Sequence, residues 1–140
     1  MLRVVCPGLS GIEITVPDVL FDDEYRVDLG EVSCRLIHVG GDHASDSVIA
    51  LVPEEGVVFL SDCLYHRLYA PVEHHTVAGV RDLVGRLRSL RGVTYAIEGH
   101  GDAPLDVVGF AGRLAGLESA AERVARLGEA AVQTAVDDDD

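Results

Sequence analysis

The residues of this sequence that can do metal chemistry are two histidines and an aspartate placed near glycines or at the end of an apolar run. His43 lies two residues after a Gly-Gly pair, Asp62 closely follows an apolar run, and His100 stands between two glycines. Imidazole and carboxylate groups suit zinc and similar divalent ions. Glycine lets the backbone turn sharply, so that ligands can point inward. Because a single histidine is usually structural, these positions are candidates for a hydrolytic metal site only as a group.

The pattern of apolar residues predicts that strands position these candidates. Residues 25–29 and 32–38 alternate apolar with polar side chains around a Gly-Glu turn, which predicts a β-hairpin. Residues 48–52 and 57–60 are nearly continuous apolar runs joined by Pro-Glu-Glu-Gly. Such runs are typical of strands buried on both faces, so they predict a second hairpin in the centre of the fold.

Helical periodicity begins only after these strands. Residues 76–90 carry apolar side chains three and four positions apart behind Thr76, a favourable N-cap, and predict one amphipathic helix. A short strand at residues 93–97 then delivers His100, and residues 105–136 form a second helical region rich in alanine and leucine. The predicted class is α+β, with mostly antiparallel strands first and two helices after.

Three short segments resemble the metallo-beta-lactamase fold family. Gly-Asp-His-Ala-Ser-Asp-Ser at residues 41–47 resembles the loop of that family's third metal-binding histidine. Phe-Leu-Ser-Asp at residues 59–62 resembles its F-x-G-D strand end, and Glu-Gly-His-Gly at residues 98–101 resembles its late P-G-H-G loop. The order and spacing agree over roughly residues 20–127. The family's first signature, H-x-H-x-D-H, is not in this sequence, so the chain resembles the carboxy-terminal half of such a domain.

The resemblance implies a fold and a set of ligands. The fold is half of an αββα sandwich, and the metal ligands are His43, Asp62 and His100. In the family the two histidines serve different metals and only the aspartate bridges them, so Asp62 is also the predicted catalytic residue. The implied cofactor is one or two zinc ions, with other divalent metals possible. The implied reaction is attack of a metal-bound hydroxide on a small ester, thioester or lactone.

Two functional hypotheses follow. In the first, the chain is a metal-dependent hydrolase that is truncated or needs a partner half. In the second, it is a non-catalytic half-fold that serves as a metal-binding or protein-interaction module. In either case one sheet face has no partner within the chain, which predicts a homodimer or a complex with an amino-terminal half.

Composition limits the other classes of function. The 140 residues fit one partial domain at residues 1–136, followed by an acidic tail at 137–140 that is predicted to be disordered. A net charge of −13 argues against nucleic acid as a partner, and the partner that the resemblance implies is a small-molecule substrate. Three cysteines without C-x-x-C spacing suggest reduced thiols in a cytoplasmic protein. No apolar run has the roughly 18 residues that a membrane span needs.

Several neighbouring residues have predicted supporting roles. His38 is expected to be packed or hydrogen-bonded rather than a ligand. Asp42 either orients a ligand histidine or caps a loop. Cys63 is expected to be a small buried residue at a strand end. The sequence leaves the roles of His66 and of the adjacent pair at residues 74–75 undetermined.

Overall fold

A computed structural model describes residue 13, residues 15–66 and residues 74–128, and these residues form one mixed sheet with two helices. The strands are β1 Glu24–Asp28, β2 Ser33–His38, β3 Val48–Val52, β4 Val57–Ser61, β5 Tyr95–Glu98 and β6 Leu105–Asp106. They lie side by side in sequence order. All neighbours are antiparallel except β4 and β5, which are parallel. The helices are α1 Val77–Ser89 and α2 Val107–Leu127. The predicted α+β class is confirmed.

Both predicted hairpins are present. The β1–β2 turn contains Gly30 at φ +93°, and its amide donates to a carboxylate oxygen of Asp28 at 2.9 Å. The β3–β4 turn contains Gly56 at φ +65°. A Cβ on Gly56 would also meet the hydroxyl of Thr94, so this turn needs glycine for its conformation and for the close approach of the next segment.

The helices begin and end close to the predicted residues. Thr76 caps α1 by accepting from the amide of Gly79 at 3.0 Å, and Leu90 closes it. Asp106 caps α2 in the same way, accepting from Gly109 at 2.8 Å. The second helix therefore starts two residues later than predicted, because Leu105 and Asp106 first pair with β5 as a short strand. Residues 129–136 of the predicted helical region lie outside the described residues.

One face of the sheet forms the hydrophobic core with the helices. The strands contribute fully buried side chains at alternate positions, including Ile49, Leu51, Val58 and Leu60. Helix α1 contributes Val80, Leu83, Val84 and Leu87, and α2 contributes Phe110, Leu114 and Ala121. No helix in the described part of the chain is both long enough and apolar enough to cross a membrane.

The other face of the sheet is only partly covered. Phe59 and Tyr95 are 45% and 51% exposed, and Val48, Ala50 and Val52 are half-buried. The prediction that both faces of β3 and β4 are buried is therefore wrong for the described residues. The apolar run of β4 places every second side chain away from the helices, and α1 and α2 both pack on the opposite face.

The strand directions bring three loops to one edge of the sheet, the edge at which β2, β4 and β5 end and β3 begins. His38 at the end of β2 pairs with Val48 at the start of β3, so the loop at residues 39–47 lies at that edge. Strand β4 runs antiparallel to β3 and ends there, and β5 runs parallel to β4, with Ser61 opposite Glu98. The segments that hold His43, Asp62 and His100 therefore leave the sheet at the same edge.

Candidate metal centre

Asp62 lies between the other two predicted ligands. One carboxylate oxygen, Oδ2, is 3.8 Å from Nε2 of His43, and the other, Oδ1, is 3.4 Å from Nε2 of His100. The structure thus brings together the three residues predicted from the sequence. Each histidine faces a different oxygen of the same carboxylate, so the arrangement has two sides with Asp62 in common.

His43 is held with Nε2 directed at Asp62. Its other ring nitrogen, Nδ1, is 3.1 Å from the carbonyl oxygen of His66. Because a carbonyl can only accept, Nδ1 carries the hydrogen and donates it. In the neutral ring Nε2 then has a free lone pair, and it faces a carboxylate oxygen that is also an electron-pair donor. Two electron-pair donors, here an imidazole nitrogen and a carboxylate oxygen, that face each other in this way favour a cation between them.

The three side chains differ in their access to solvent. The side chain of His43 is 17% exposed, that of Asp62 33%, and that of His100 73%. The ring of Tyr65 meets the ring of His100 edge-on, with 5.4 Å between their centroids. The His43 side of the site is therefore enclosed, and the His100 side opens to solvent beside the ring of Tyr65.

The position of Asp62 depends on unusual backbone on either side of it. Ser61 has φ +50°, in the left-handed region, and the pairing register between β4 and β5 shifts at this point. The amide of Gly99 donates to the carbonyl of Ser61 at 2.8 Å. A Cβ on Gly99 would overlap the carboxylate of Asp62. The glycine before His100 is therefore required by the close approach of Asp62.

Asp42 fastens the His43 loop to the start of α1. Its carboxylate accepts from the amide of Thr76 at 2.7 Å and from the hydroxyl of Thr76 at 2.8 Å. His75 is a further neighbour, with Nδ1 3.8 Å from Asp42 Oδ2. A Cβ on Gly79 would come within 2.5 Å of this carboxylate, so α1 has a glycine where Asp42 enters. Of the two predicted roles for Asp42, the structure supports the cap.

Two further residues behave as the sequence suggested. Nε2 of His38 lies 2.8 Å from the carbonyl oxygen of Ser45, which makes His38 a hydrogen-bonded brace within the loop. Cys63 is 1% exposed, and burial, together with the negative charges of Glu98 and Asp62, raises the pKa of its thiol to about 12. The thiol therefore stays protonated at neutral pH, and Cys63 is a buried structural residue.

Two features near the site, a hydrogen bond and a depression, could not be predicted from motifs. Arg113 of α2 donates to Glu98 at 2.9 Å and fixes the segment just before His100. A depression of about 440 Å³ opens beside the His43 loop, lined in part by Asp42, His74 and Thr76, while Asp62 and His100 lie outside its lining. The amphipathic pattern of α2 placed Arg113 on the helix, but only the tertiary structure shows its partner.

Comparison with known proteins was informative only at the level of structure. No protein-family model and no curated protein matches the sequence. A metallo-beta-lactamase from Pontibacter korlensis superimposes with a TM-score of 0.57 at 21% identity, covering 74% of this chain and 50% of its own. The sec-alkylsulfatase Pisa1 from Pseudomonas sp. gives 0.61 at 18% identity, covering 80% and 20%. A metallo-beta-lactamase family protein from Thermus thermophilus gives 0.52 at 19% identity, covering 74% and 35%.

The chain has a metallo-beta-lactamase fold. It contains part of that fold's domain, since it spans half or less of the length of each of these three proteins. The resemblance seen in the three motifs and the expectation of a partial domain are both confirmed. At these identities the likeness shows the fold alone.

The donors of this partial metallo-beta-lactamase fold fit two incomplete metal sites better than one complete site. In tetrahedral zinc sites with ligand bonds of about 2.0–2.2 Å, neighbouring ligand atoms are ~3.4 Å apart, which is close to both His–Asp separations. Among residues 15–66 and 74–128, however, no group of three histidine, cysteine, aspartate or glutamate side chains is arranged to hold one ion. These residues therefore offer one histidine nitrogen and one carboxylate oxygen on each side of Asp62.

Proposed function

We propose that this chain provides part of the metal site of a metal-dependent hydrolase with the metallo-beta-lactamase fold. The supporting observation is the placement of Asp62, which offers Oδ2 to His43 and Oδ1 to His100. A carboxylate that faces two histidines from its two oxygens has the geometry of a bridging ligand. Zinc is the proposed metal, because imidazole and carboxylate are among its usual ligands.

In this proposal each residue has a defined task. His43 would hold one ion through Nε2, since the bond from its Nδ1–H to the His66 carbonyl selects the tautomer in which Nε2 carries the lone pair. His100 would hold the second ion, and Asp62 would contribute one carboxylate oxygen on each side. A divalent metal in such a site supplies an activated water near neutral pH and polarises the carbonyl of the substrate.

We propose a small ester, thioester or lactone as the substrate class. The side of the site at His100 is exposed, and the neighbouring ring of Tyr65 offers an apolar surface to a small molecule. The net charge of −13 disfavours a nucleic acid substrate. We place the protein in the cytoplasm, since Cys34 and Cys63 are free thiols.

A non-catalytic role is the second candidate, and one observation favours it. The described residues supply two protein donors per ion, whereas catalytic zinc sites generally have three. A chain with this ligand set can hold metal weakly, or serve as an interaction module, without turning over a substrate by itself.

Metal content and hydrolysis measured on the same preparation separate these functions. We expect the purified chain to hold less than two equivalents of zinc after gentle dialysis, because half of the family's ligand set is absent. If the first function holds, the chain by itself hydrolyses at least one member of a panel of an aryl ester, an acyl thioester and a lactone, and does so slowly. Asp62→Ala should lose both properties, and His38→Ala should keep both. Metal binding without hydrolysis would favour the second candidate. A folded wild-type chain that binds no zinc would refute the metal site itself.

A further inference from the structure

His100 is the candidate ligand with the least support from its immediate surroundings. It lies between two glycines, and its side chain is 73% exposed, whereas that of His43 is 17% exposed. Glycine has more backbone freedom than any other residue, so a ligand flanked by two glycines is held by contacts that the segment makes elsewhere. The position of this imidazole opposite Asp62 therefore needs an anchor outside residues 99–101.

Two backbone hydrogen bonds close the turn at residues 98–101, which we call the ligand turn. The amide of Gly99 donates to the carbonyl of Ser61 at 2.8 Å, which ties the turn to the end of β4. The amide of Gly101 donates to the carbonyl of Glu98 at 3.4 Å. Because this second bond is longer than the usual ~2.9 Å, backbone bonding alone holds the turn weakly.

The side chain of Glu98 lies beneath the ligand turn. Side chains alternate along β5, so Glu98 is on the same face of the sheet as Ala96, which is buried in the core against the helices. The Glu98 side chain is itself only 13% exposed. A Cβ on Gly101 would come within 3.7 Å of its Oε2. The carboxylate is thus folded under the turn, against the second of its two glycines.

Arg113 holds this carboxylate from the side of the helices. Its Nε donates to Oε1 of Glu98 at 2.9 Å. Such a charge-assisted bond is among the stronger hydrogen bonds, and a largely buried carboxylate is costly to leave unpaired. The buried residues Phe110 and Leu114 fix α2 in the core on either side of Arg113. The guanidinium is therefore carried by a well-packed part of the helix.

We propose that Arg113 is a positioning residue for the candidate ligand His100 and that it acts through Glu98. The proposal rests on the proposed function, since it assigns a support to one ligand of that metal site. The ion pair fixes the start of the ligand turn, so that Nε2 of His100 stays 3.4 Å from Oδ1 of Asp62. Arg113 itself has no metal-binding task.

A different role for the ion pair would be to withhold Glu98 from the metal. A carboxylate two residues before His100 can compete for a cation, and its Oε1 is occupied by the bond from Arg113. The two roles predict opposite outcomes. Loss of Arg113 lowers the affinity for zinc if the arginine positions His100, and raises it if the arginine only withholds Glu98.

Nuclear magnetic resonance on the chain without metal tests the positioning directly. The edge-on contact of Tyr65 and His100, with 5.4 Å between ring centroids, should give nuclear Overhauser effects between the rings in the wild type. We expect Arg113→Gln to lose these effects and to speed exchange of the Gly99 amide several-fold. Arg113→Lys, which retains the charge, should keep part of both signals. The matched control is Arg123→Gln, the same change at an exposed arginine of α2, which should behave as wild type.

A general loss of stability would change a different set of signals. The amide of Val39 bonds the carbonyl of Ser47 at 2.9 Å in the loop of His43. Its exchange should be unchanged in Arg113→Gln. Faster exchange at Val39 and Gly99 alike would overturn the proposal, as would inter-ring effects that persist in Arg113→Gln.

Zinc affinity measured by calorimetry separates this proposal from the proposed function. We expect Arg113→Gln to bind zinc several-fold more weakly than the wild type, and Arg113→Lys to recover part of the loss. Unchanged or tighter binding by Arg113→Gln would overturn the proposal. A wild type that bound no zinc would refute the metal site, whereas the resonance measurements, made without metal, would still decide whether Arg113 positions His100.

Discussion

The carboxylate of Asp62 occupies the space that a side chain on residue 99 would fill. Glycine at position 99 thus does more than allow the chain to turn before His100. It lets β5 approach the end of β4 closely enough for the amide of Gly99 to bond the carbonyl of Ser61 at 2.8 Å. The segment after β4, which carries Asp62, and the segment after β5, which carries His100, therefore pack directly against each other at this contact.

Replacement of Gly99 by alanine should therefore disturb the site and the sheet together. We expect Gly99→Ala to lower the free energy of unfolding by about 1–3 kcal/mol, the usual cost of forcing extra atoms into a packed position. The control is Gly112→Ala in α2, where a Cβ meets no atom within 4 Å. That variant should gain up to about 1 kcal/mol from helix propensity. Urea unfolding measures both, and a fully stable Gly99→Ala would contradict the contact.

Replacement of Ser61 by glycine should have the opposite effect and stabilise the chain. Its φ of +50° is a conformation that costs a residue with a side chain about 1–2 kcal/mol and that glycine adopts freely. We expect Ser61→Gly, which restores the glycine of the F-x-G-D motif, to raise the melting temperature by a few degrees. Ser61→Ala keeps the Cβ and should give no gain. Equal stabilisation by both variants would show that the hydroxyl, and not the backbone, is responsible.

Metal binding should depend on His43 and Asp62 and not on His38. We expect Asp62→Ala to abolish zinc binding measured by calorimetry, because it removes the donor common to both sides, and His43→Ala to abolish binding on the enclosed side. His38→Ala loses only the hydrogen bond to the Ser45 carbonyl, a stability cost of about 1 kcal/mol. If His38→Ala removed the metal and His43→Ala did not, the assignment of the loop would be wrong.

The contact of Asp42 with α1 can be tested by a double-mutant cycle. Asp42→Ala leaves the amide of Thr76 without its acceptor and should cost about 1–2 kcal/mol. Gly79→Ala should also destabilise the chain, since its Cβ would come within 2.5 Å of the carboxylate. In the Asp42→Ala background, however, Gly79→Ala should become stabilising. Simple additivity of the two changes would rule out the direct contact.

Acid should destabilise the chain partly through His75. Burial lowers the pKa of His75, although the nearby Asp42 carboxylate acts in the opposite direction. The folded state then binds this proton less readily than the unfolded state, so stability is lost as the pH falls from about 6.5 through the lower folded pKa. We expect the difference in stability between His75→Gln and wild type to shift in favour of the variant between pH 7 and pH 5. A difference that stays constant would show that His75 is not proton-linked.

The local features of this fold could be predicted from the sequence, and the long-range ones could not. Gly30 and Gly56 mark the two hairpin turns, and Thr76 marks the start of α1, because turn and cap chemistry acts over a few residues. The contact of Asp42 with Thr76 spans 34 positions and has no periodic signature. The sequence predicted one uncovered sheet face but not that Phe59 lies on it, since an apolar run does not show which face of a strand has a covering layer.

The candidate ligands also differ in how the chain brings them together during folding. The β3–β4 hairpin has a four-residue turn, so Asp62 can approach the His43 loop through local pairing. His100 follows β5, which pairs in parallel with β4 only after the chain has passed through α1. Closing that longer loop costs more entropy, and contacts distant in sequence form slowly. The His43–Asp62 pair is therefore expected to form early, and His100 to join it in one of the last steps of folding.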